Sequence, residues 1–246
     1  MLSASVEISV PTDFQTNFLM ALRWIHFIAG STWIGLLYFF NVVNIPFSRE
    51  LDPGTRAKVM PALMSRAMHW FRWSALITVL AGLAYWGSIC GSDARNGGAS
   101  PALPLVSFFF TWTITWGILY VLHIPVRGLL DKGWFLAILY TLIIVHAAYF
   151  FLHVNDKPWE SNRLLAIGIG GGIGWMMLLN VWGVVWRMQK RLIAWTRANA
   201  ENGTPVPERA AKMQRTVFLM ARINGVLSIP LLFFMGAASH YPMFGR

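Results

Sequence analysis

Six long apolar runs constrain the fold of this chain more than any other feature of its sequence. Each run is close to or longer than the roughly 20 residues that a helix needs to cross the hydrocarbon core of a bilayer. Only 12% of the 246 residues are charged, against about 25% in soluble domains. The sequence therefore excludes a soluble fold and predicts an all-α, polytopic transmembrane bundle of about six helices in one domain, residues 1–246. The predicted spans are about 17–45, 67–90, 104–126, 134–154, 162–187 and 215–240.

Basic residues predict how the bundle is oriented. Fifteen of the twenty Lys and Arg residues fall in or beside the loops between spans 1 and 2, 3 and 4, and 5 and 6. Because Lys and Arg collect in cytoplasmic loops, we expect those loops inside and both termini outside, in the inner membrane of a bacterium. The net charge of +10 then comes from these loops and indicates no nucleic-acid partner. The N-terminal segment has neither a basic region nor a small-residue cleavage site, so we expect the first span to be a retained helix.

Polar segments separate the spans. The segment before span 2 contains Pro53, Gly54 and Pro61, so we expect a loop there. The segment after span 5 is the longest and most basic of them. Its first half has a composition that could continue the helix of span 5 beyond the membrane.

The fifth span carries a dense run of glycines, GIGGGIG at 168–174. A dinucleotide-binding loop would follow a strand and open a helix, whereas this run lies inside an apolar span. Pairs spaced by four residues, Gly168 with Gly172 and Gly170 with Gly174, instead predict that neighbouring membrane helices approach closely here.

Six histidines are spread over the chain, and an imidazole inside a span points to function because it is costly in lipid. At a rise of about 1.5 Å per residue, His26 on span 1 and His146 on span 4 come to similar depths in the outer half. His69 and His123 both lie near the inner ends of their spans. Paired imidazoles on facing helices hold haem iron from both sides. These two levels predict one or two haem b groups, with iron ligated by His26 and His146 and by His69 and His123.

Three arginines are candidate partners for the propionates of an inner haem, because a guanidinium pairs with a carboxylate through two hydrogen bonds. They are Arg66, Arg72 and Arg127. The alternative for any single membrane histidine is a hydrogen bond to a backbone carbonyl or to water. We expect that alternative for His153 and His240, which lie near the outer rim where polar groups are cheap.

A second polar group lies in the inner half, with Asn180 on span 5 and Arg222 and Asn224 on span 6. A charged residue and two amides within spans must find partners. They either satisfy one another, bind a lipid head group, or form a pocket for a planar, anionic small molecule. We expect this pocket to be the substrate site.

Four segments resemble the membrane domain of the bacterial membrane-bound urate oxidase (urate hydroxylase) family. They are RWIHFIAGSTWIGLLYFFNVVNIPF, MHWFRWSALITVLAGLAYW, LLNVWGVVWRMQK and ARINGVLSIPLLFFMGAASHYP. The resemblance extends over most of the chain. The opening pattern of Trp24, His26, Trp33, Gly35 and Tyr38 is also similar to wider families of small haem-linked membrane proteins.

The resemblance implies a helical membrane domain that oxidises urate and passes electrons outward to a c-type cytochrome. The sequence has one cysteine, Cys90, and no CxxCH motif for attaching a c-type haem. We therefore expect the cytochrome to be a separate protein. The alternative is a non-catalytic subunit of a larger respiratory or metabolic membrane complex. A transporter has less support, because the spans lack buried carboxylates and no inverted repeat is visible.

Overall fold

The computed structural model describes residues 9–122 and 133–244, and this part of the chain contains eight α-helices. They are α1 (Phe14–Tyr38), α2 (Asn44–Glu50), α3 (Pro53–Asn96), α4 (Ala102–Val121), α5 (Gly133–Val154), α6 (Asn162–Leu179), α7 (Trp186–Asn202) and α8 (Arg209–His240). Two π-helical segments, Phe39–Val43 and Asn180–Val185, join α1 to α2 and α6 to α7.

Six continuous helices in the described residues are long and apolar enough to cross a membrane. They are Phe14–Glu50, Pro53–Asn96, Ala102–Val121, Gly133–Val154, Asn162–Asn202 and Arg209–His240. The predicted all-α bundle of about six spans is confirmed, and the protein is a multi-pass membrane protein. The helix of the fifth span continues beyond residue 187, as the sequence indicated.

One predicted loop is wrong: residues 53–66 are helical and extend the second span. Asp52 caps this helix, with its carboxylate accepting the Thr55 amide at 3.0 Å, and Pro53 occupies the first turn, where its missing N–H costs nothing. Pro61 lies inside α3 and is buried. Pro53 thus starts the helix, and Pro61 is buried inside the helix without ending it.

Residues 162–202 form the most buried span. In its most apolar stretch of 18 residues, 78% of the residues are buried inside the bundle, whereas in that of α5 only 11% are buried. A Cβ atom on Gly172 would lie 2.0 Å from the Trp112 ring of α4, and one on Gly168 would lie 2.5 Å from the Phe151 ring of α5. A Cβ on Gly170 would meet Phe234 of α8 at 2.9 Å. The prediction of close helix packing at these glycines is confirmed, since side chains of three neighbouring helices occupy the space that a Cβ atom would need.

The remaining helices are arranged around α6. α1 packs mainly against α3, α4 packs against α5 and α6, and α8 packs against α6. α7 returns along the first part of α3.

Both π-helical segments contain an asparagine, Asn41 in the first and Asn180 in the second. π-helical turns are rare and occur frequently at functional sites. The two asparagines approach the same stretch of α8: Asn41 donates to the Ala221 carbonyl at 3.1 Å, and Asn180 donates to Asn224 at 2.8 Å. The segments therefore bring amide side chains to one stretch of α8, in the half of the bundle next to the basic loops.

Candidate functional site

A cavity of about 580 Å³ lies at the end of the bundle that carries the basic loops. It is enclosed by α1 and α2, the first half of α3, α7 and α8. Its volume is within the range of small-molecule sites, about 300–1,000 Å³. Much of its wall is apolar, with Phe40 and Phe71 supplying rings and Met60, Met64 and Met68 following one face of α3.

The polar part of the cavity wall carries positive charge. Arg49 and Arg56 are exposed at its rim, and Arg56 is steered by a hydrogen bond from its Nη2 to the Leu51 carbonyl at 2.8 Å. Among the described residues that line the cavity, none is Asp, Glu or His. The neutral polar residues of the wall are Asn41, Asn44, Ser48, Gln189, Thr196, Gln214 and Asn224. Such a wall favours an anion that also forms hydrogen bonds.

Two asparagines on this wall have hydrogen-bond acceptors without a donor. Asn41 uses its Nδ2 twice, donating to Leu37 at 2.9 Å and to Ala221 at 3.1 Å. Asn44 contacts the Met64 sulfur through its Nδ2 at 3.9 Å. No donor among the described residues reaches the buried Oδ1 of either side chain. Since buried acceptors are normally paired, these two oxygens indicate a place where a ligand or water donates.

The structure brings together two of the three residues predicted to bind substrate. Trp116 donates to Asn180 at 2.9 Å, Asn180 donates to Asn224 at 2.8 Å, and Asn224 donates to the Met177 carbonyl at 3.2 Å. Asn224 lines the large cavity, whereas the void beside Asn180 holds about 10 Å³, room for one water at most. Asn180 thus orients Asn224, and the two amides largely satisfy one another.

Arg222 lies apart from this pair. Its side chain is exposed and stacks over Phe218, 5.2 Å from the ring centroid. It is not among the residues that line the cavity.

His26 is held between α1 and α3. Its Nδ1 lies 2.8 Å from the Thr78 carbonyl oxygen, which can only accept, so Nδ1 carries the proton and Nε2 keeps its lone pair. Gly82 makes room for the ring, because a Cβ there would lie 2.9 Å from it. A metal-ligating histidine typically donates its other ring N–H to a carbonyl or carboxylate, so His26 has the geometry of a ligand as well as that of a satisfied structural histidine.

Among the other proposed haem residues that the structure describes, three are more exposed than His26. His69 on α3 and His146 on α5 are exposed, and α5 packs against α4 and α6 rather than along α3 as α1 does. Arg66 is exposed and Arg72 is half-buried. His123 and Arg127 lie outside the described residues. His153 and His240 are exposed near helix ends, and the His153 ring stacks at 6.3 Å on Tyr149.

The cavity residues Asn41, Asn44, Arg49 and Arg56 were not among the predicted substrate residues. The sequence did contain an indication for two of them. Asn41 and Asn44 are three residues apart within a span, so they lie on one helix face, and amide side chains are costly in lipid. The assembly of α2, α7 and α8 around them depends on tertiary packing, which composition does not reveal.

The fold and the cavity define a multi-pass membrane protein with a ligand-sized, positively charged site at one end. The model of the urate oxidase N-terminal family matches residues 53–245. The chain belongs to this family. Searches of curated proteins and of solved structures gave no match.

Proposed function

We propose that the protein is a haem b-containing membrane oxidoreductase related to urate oxidase, which passes electrons from a urate-like anion to a separate c-type cytochrome. The family match supports the relation to urate oxidase. The observation that carries the substrate class is the 580 Å³ cavity with two arginines at its rim and no carboxylate among its described lining residues.

The cavity wall suits a planar oxopurine anion. Such a ring has N–H donors and carbonyl acceptors around its edge and apolar faces above and below. Asn41 and Asn44 provide unpaired acceptors for ring N–H groups. Arg49 and Arg56 attract the negative charge, and Phe40 and Phe71 offer apolar surface to the ring. An analogue that lacks the N–H groups would leave the Oδ1 atoms of Asn41 and Asn44 buried and unpaired. Such an analogue should therefore bind more weakly.

Haem b, when bound, would supply one-electron transfer. His26 fits the role of an iron ligand, because its Nδ1–H is fixed on the Thr78 carbonyl and its Nε2 is free to bind. His146, His69 and His123 are the other proposed ligands, and Arg66, Arg72 and Arg127 are the proposed propionate partners. His26 and Asn41 lie on one continuous helix, 15 residues or about 22 Å apart. One haem at the level of His26, with or without a second at the level of His69 and His123, would carry electrons away from the cavity.

The proposed setting is the inner membrane of a bacterium, with the cavity facing the cytoplasm and both termini outside. The basic residues support this orientation, since fifteen of the twenty fall in or beside the loops predicted to be cytoplasmic. Substrate would then enter from the cytoplasm, and electrons would leave on the opposite side.

The test uses the purified full chain in detergent. We expect a Soret band whose reduced spectrum is that of haem b, and reduction of added cytochrome c that depends on urate. His26→Ala should lose haem absorbance, whereas the control His240→Ala, at the exposed end of α8, should retain it. Protein without a Soret band would reject the haem proposal, and protein with haem but no binding of urate would reject the substrate.

One observation favours a second candidate function, a non-catalytic subunit of a larger membrane complex. Only 11% of the most apolar window of α5 is buried, and its exposed surface includes His146, Tyr149 and His153. His146 lies within the span, where an imidazole that faces lipid is costly, so a partner chain that covers it would stabilise this helix. Isolation of the protein with stoichiometric partner chains and without any redox cofactor would support this alternative.

A further inference from the structure

Arg72 of α3 lies in a cage of three tryptophans. Its guanidinium carbon is 3.8 Å from the ring centroid of Trp186 and 5.7 Å from those of Trp73 and Trp182. Trp182 also donates its indole N–H to the Arg72 carbonyl at 3.1 Å. Trp182 belongs to the Asn180–Val185 π-helical segment and Trp186 begins α7, so the widened turn of the fifth span helps to build the cage.

The depth of the cage follows from the sequence of α3. Arg72 lies where the polar first part of this helix, which carries Arg56 and Arg66, gives way to its apolar part. Such a position favours the level of the lipid head groups on the side of the basic loops. On the same helix Trp70 is 66% exposed and Trp73 is 41% exposed. Tryptophans are enriched where membrane meets water, so the exposed ring of Trp73 favours a cage that opens at the surface of the bundle.

Among the described residues no carboxylate pairs with the Arg72 guanidinium, and its Nε is buried without an acceptor. Trp186 covers one face of the group by stacking, which favours a cation without using its N–H donors. No acceptor in the described part of the chain takes the Nη donors of this half-buried arginine, so they are left for an anion that approaches from the bilayer.

We propose that the Arg72 cage binds the phosphate of an anionic phospholipid in the leaflet on the side of the basic loops. A guanidinium binds a phosphate through two parallel hydrogen bonds, and anionic head groups are attracted to basic residues at this depth. The cage is separate from the 580 Å³ cavity, whose lining does not include Arg72. A haem propionate, which is also an oxyanion, is the competing source that the test must separate.

The experiment measures thermal unfolding of the purified full chain in neutral detergent with added phosphatidylglycerol or phosphatidylcholine. Phosphatidylglycerol should raise Tm of the unaltered protein more than phosphatidylcholine does. Arg72→Gln should weaken the apparent affinity for phosphatidylglycerol by roughly fivefold, the effect of about one basic contact with an anionic head group. Arg72→Lys, which keeps the charge and preserves folding, should recover only part of the loss because it lacks the paired donors.

Lys58→Gln is the matched control, since it removes an exposed cation from the same helix at a residue that does not line the cavity. An unchanged response in Lys58→Gln with a weakened one in Arg72→Gln supports the cage. Equal losses in both variants would mean general attraction to a basic surface and would overturn the proposal. Loss of Soret absorbance in Arg72→Gln with an unchanged lipid response would assign the arginine to a propionate and would also overturn it.

Discussion

The two ends of the bundle differ in how closely their side chains are packed. At the end away from the basic loops, here called the closed end, Trp86 donates to the Leu164 carbonyl at 2.9 Å, and a Cβ on Gly97 would lie 2.3 Å from Trp159. At the end beside the basic loops, here called the open end, a cavity of about 580 Å³ remains, and the side-chain Oδ1 atoms of Asn41 and Asn44 have no described donor. The closed end fixes the helices relative to one another, whereas the open end has unpaired acceptors beside a cavity.

The largest effect is expected where the packing is tightest. Gly172→Leu would drive a side chain into Trp112, whose ring lies 2.0 Å from the position of a Cβ atom. Overpacking a core typically costs about 1–3 kcal/mol and occasionally more, and a rigid indole between α4 and α6 cannot move aside easily. We expect a strong loss of folded protein in detergent, measured by yield and by Tm.

The neighbouring glycine provides the control for this prediction. A Cβ on Gly171 would lie 3.6 Å from Phe108, an ordinary contact. Gly171→Ala should therefore leave Tm nearly unchanged or raise it slightly, because alanine favours a helix by up to about 1 kcal/mol over glycine. If Gly171→Ala and Gly172→Ala lowered Tm equally, helix packing through Gly172 would not explain the effect.

The next largest effect distinguishes Asn180, whose side chain is hydrogen-bonded on both sides, from Asn44, whose Oδ1 has no described donor. Asn180→Leu removes a hydrogen bond to Asn224 and one from Trp116, so it should lower stability by about 1–3 kcal/mol, the cost of leaving buried polar groups unpaired. Asn44→Leu removes only a weak contact to Met64. It should leave Tm almost unchanged while weakening urate binding by roughly fivefold, the value of about one hydrogen bond.

These measurements use Tm for stability and calorimetric titration with urate for affinity, both on the full chain. A large fall in Tm for Asn44→Leu would show that its amide is structural. Unchanged urate affinity in that variant would remove Asn44 from the proposed site.

The sequence was sufficient to predict the architecture because membrane spans follow from local hydrophobicity. The apolar runs located all six spans, and the spacing of Gly168, Gly170, Gly172 and Gly174 located the tightest packing. The boundary error at residues 53–66 arose because Pro53 and Pro61 resemble loop signals, although a proline after an N-cap such as Asp52 favours a helix start.

The candidate site was less accessible to sequence reasoning. Asn180 and Asn224 were correctly grouped, since polar residues at one depth in lipid tend to meet. Sequence does not show which face of α8 meets which helix, and so it could not separate Asn224, on the cavity wall, from Arg222, which is exposed. The widened turns at Asn41 and Asn180 likewise have no clear signature in composition.

A smaller effect is expected at Glu160, in the closed outer end between α5 and α6. The residue is 1% exposed, and burial raises the pKa of its carboxyl to about 7 in spite of a hydrogen bond from the Lys157 amide. Because the folded state then holds this proton more tightly than the unfolded chain, stability should be greatest below about pH 4.5 and should fall as pH rises toward 7. Glu160→Gln should flatten this decline, which thermal unfolding between these pH values would show.

Asp52→Asn serves as the control for Glu160, because hydrogen bonds from Thr55 lower the pKa of Asp52 below 3.8. Its contribution is lost only in more acidic solution, so the slope between pH 4.5 and 7 should remain. An unchanged slope in Glu160→Gln would mean that other groups cause the decline.

The smallest effect concerns the charge at the open end. Arg49 is exposed at the cavity rim, where solvent and salt screen its attraction for an anion, so Arg49→Gln should weaken urate binding by about 0.2–1 kcal/mol at low salt and less at high salt. Arg222→Gln removes an equally exposed arginine that does not line the cavity, and it should leave Kd unchanged at both salt concentrations. A greater loss of affinity in Arg222→Gln than in Arg49→Gln would move the anion site to the surface of α8. The cavity at the open end would then not be the place where the substrate binds.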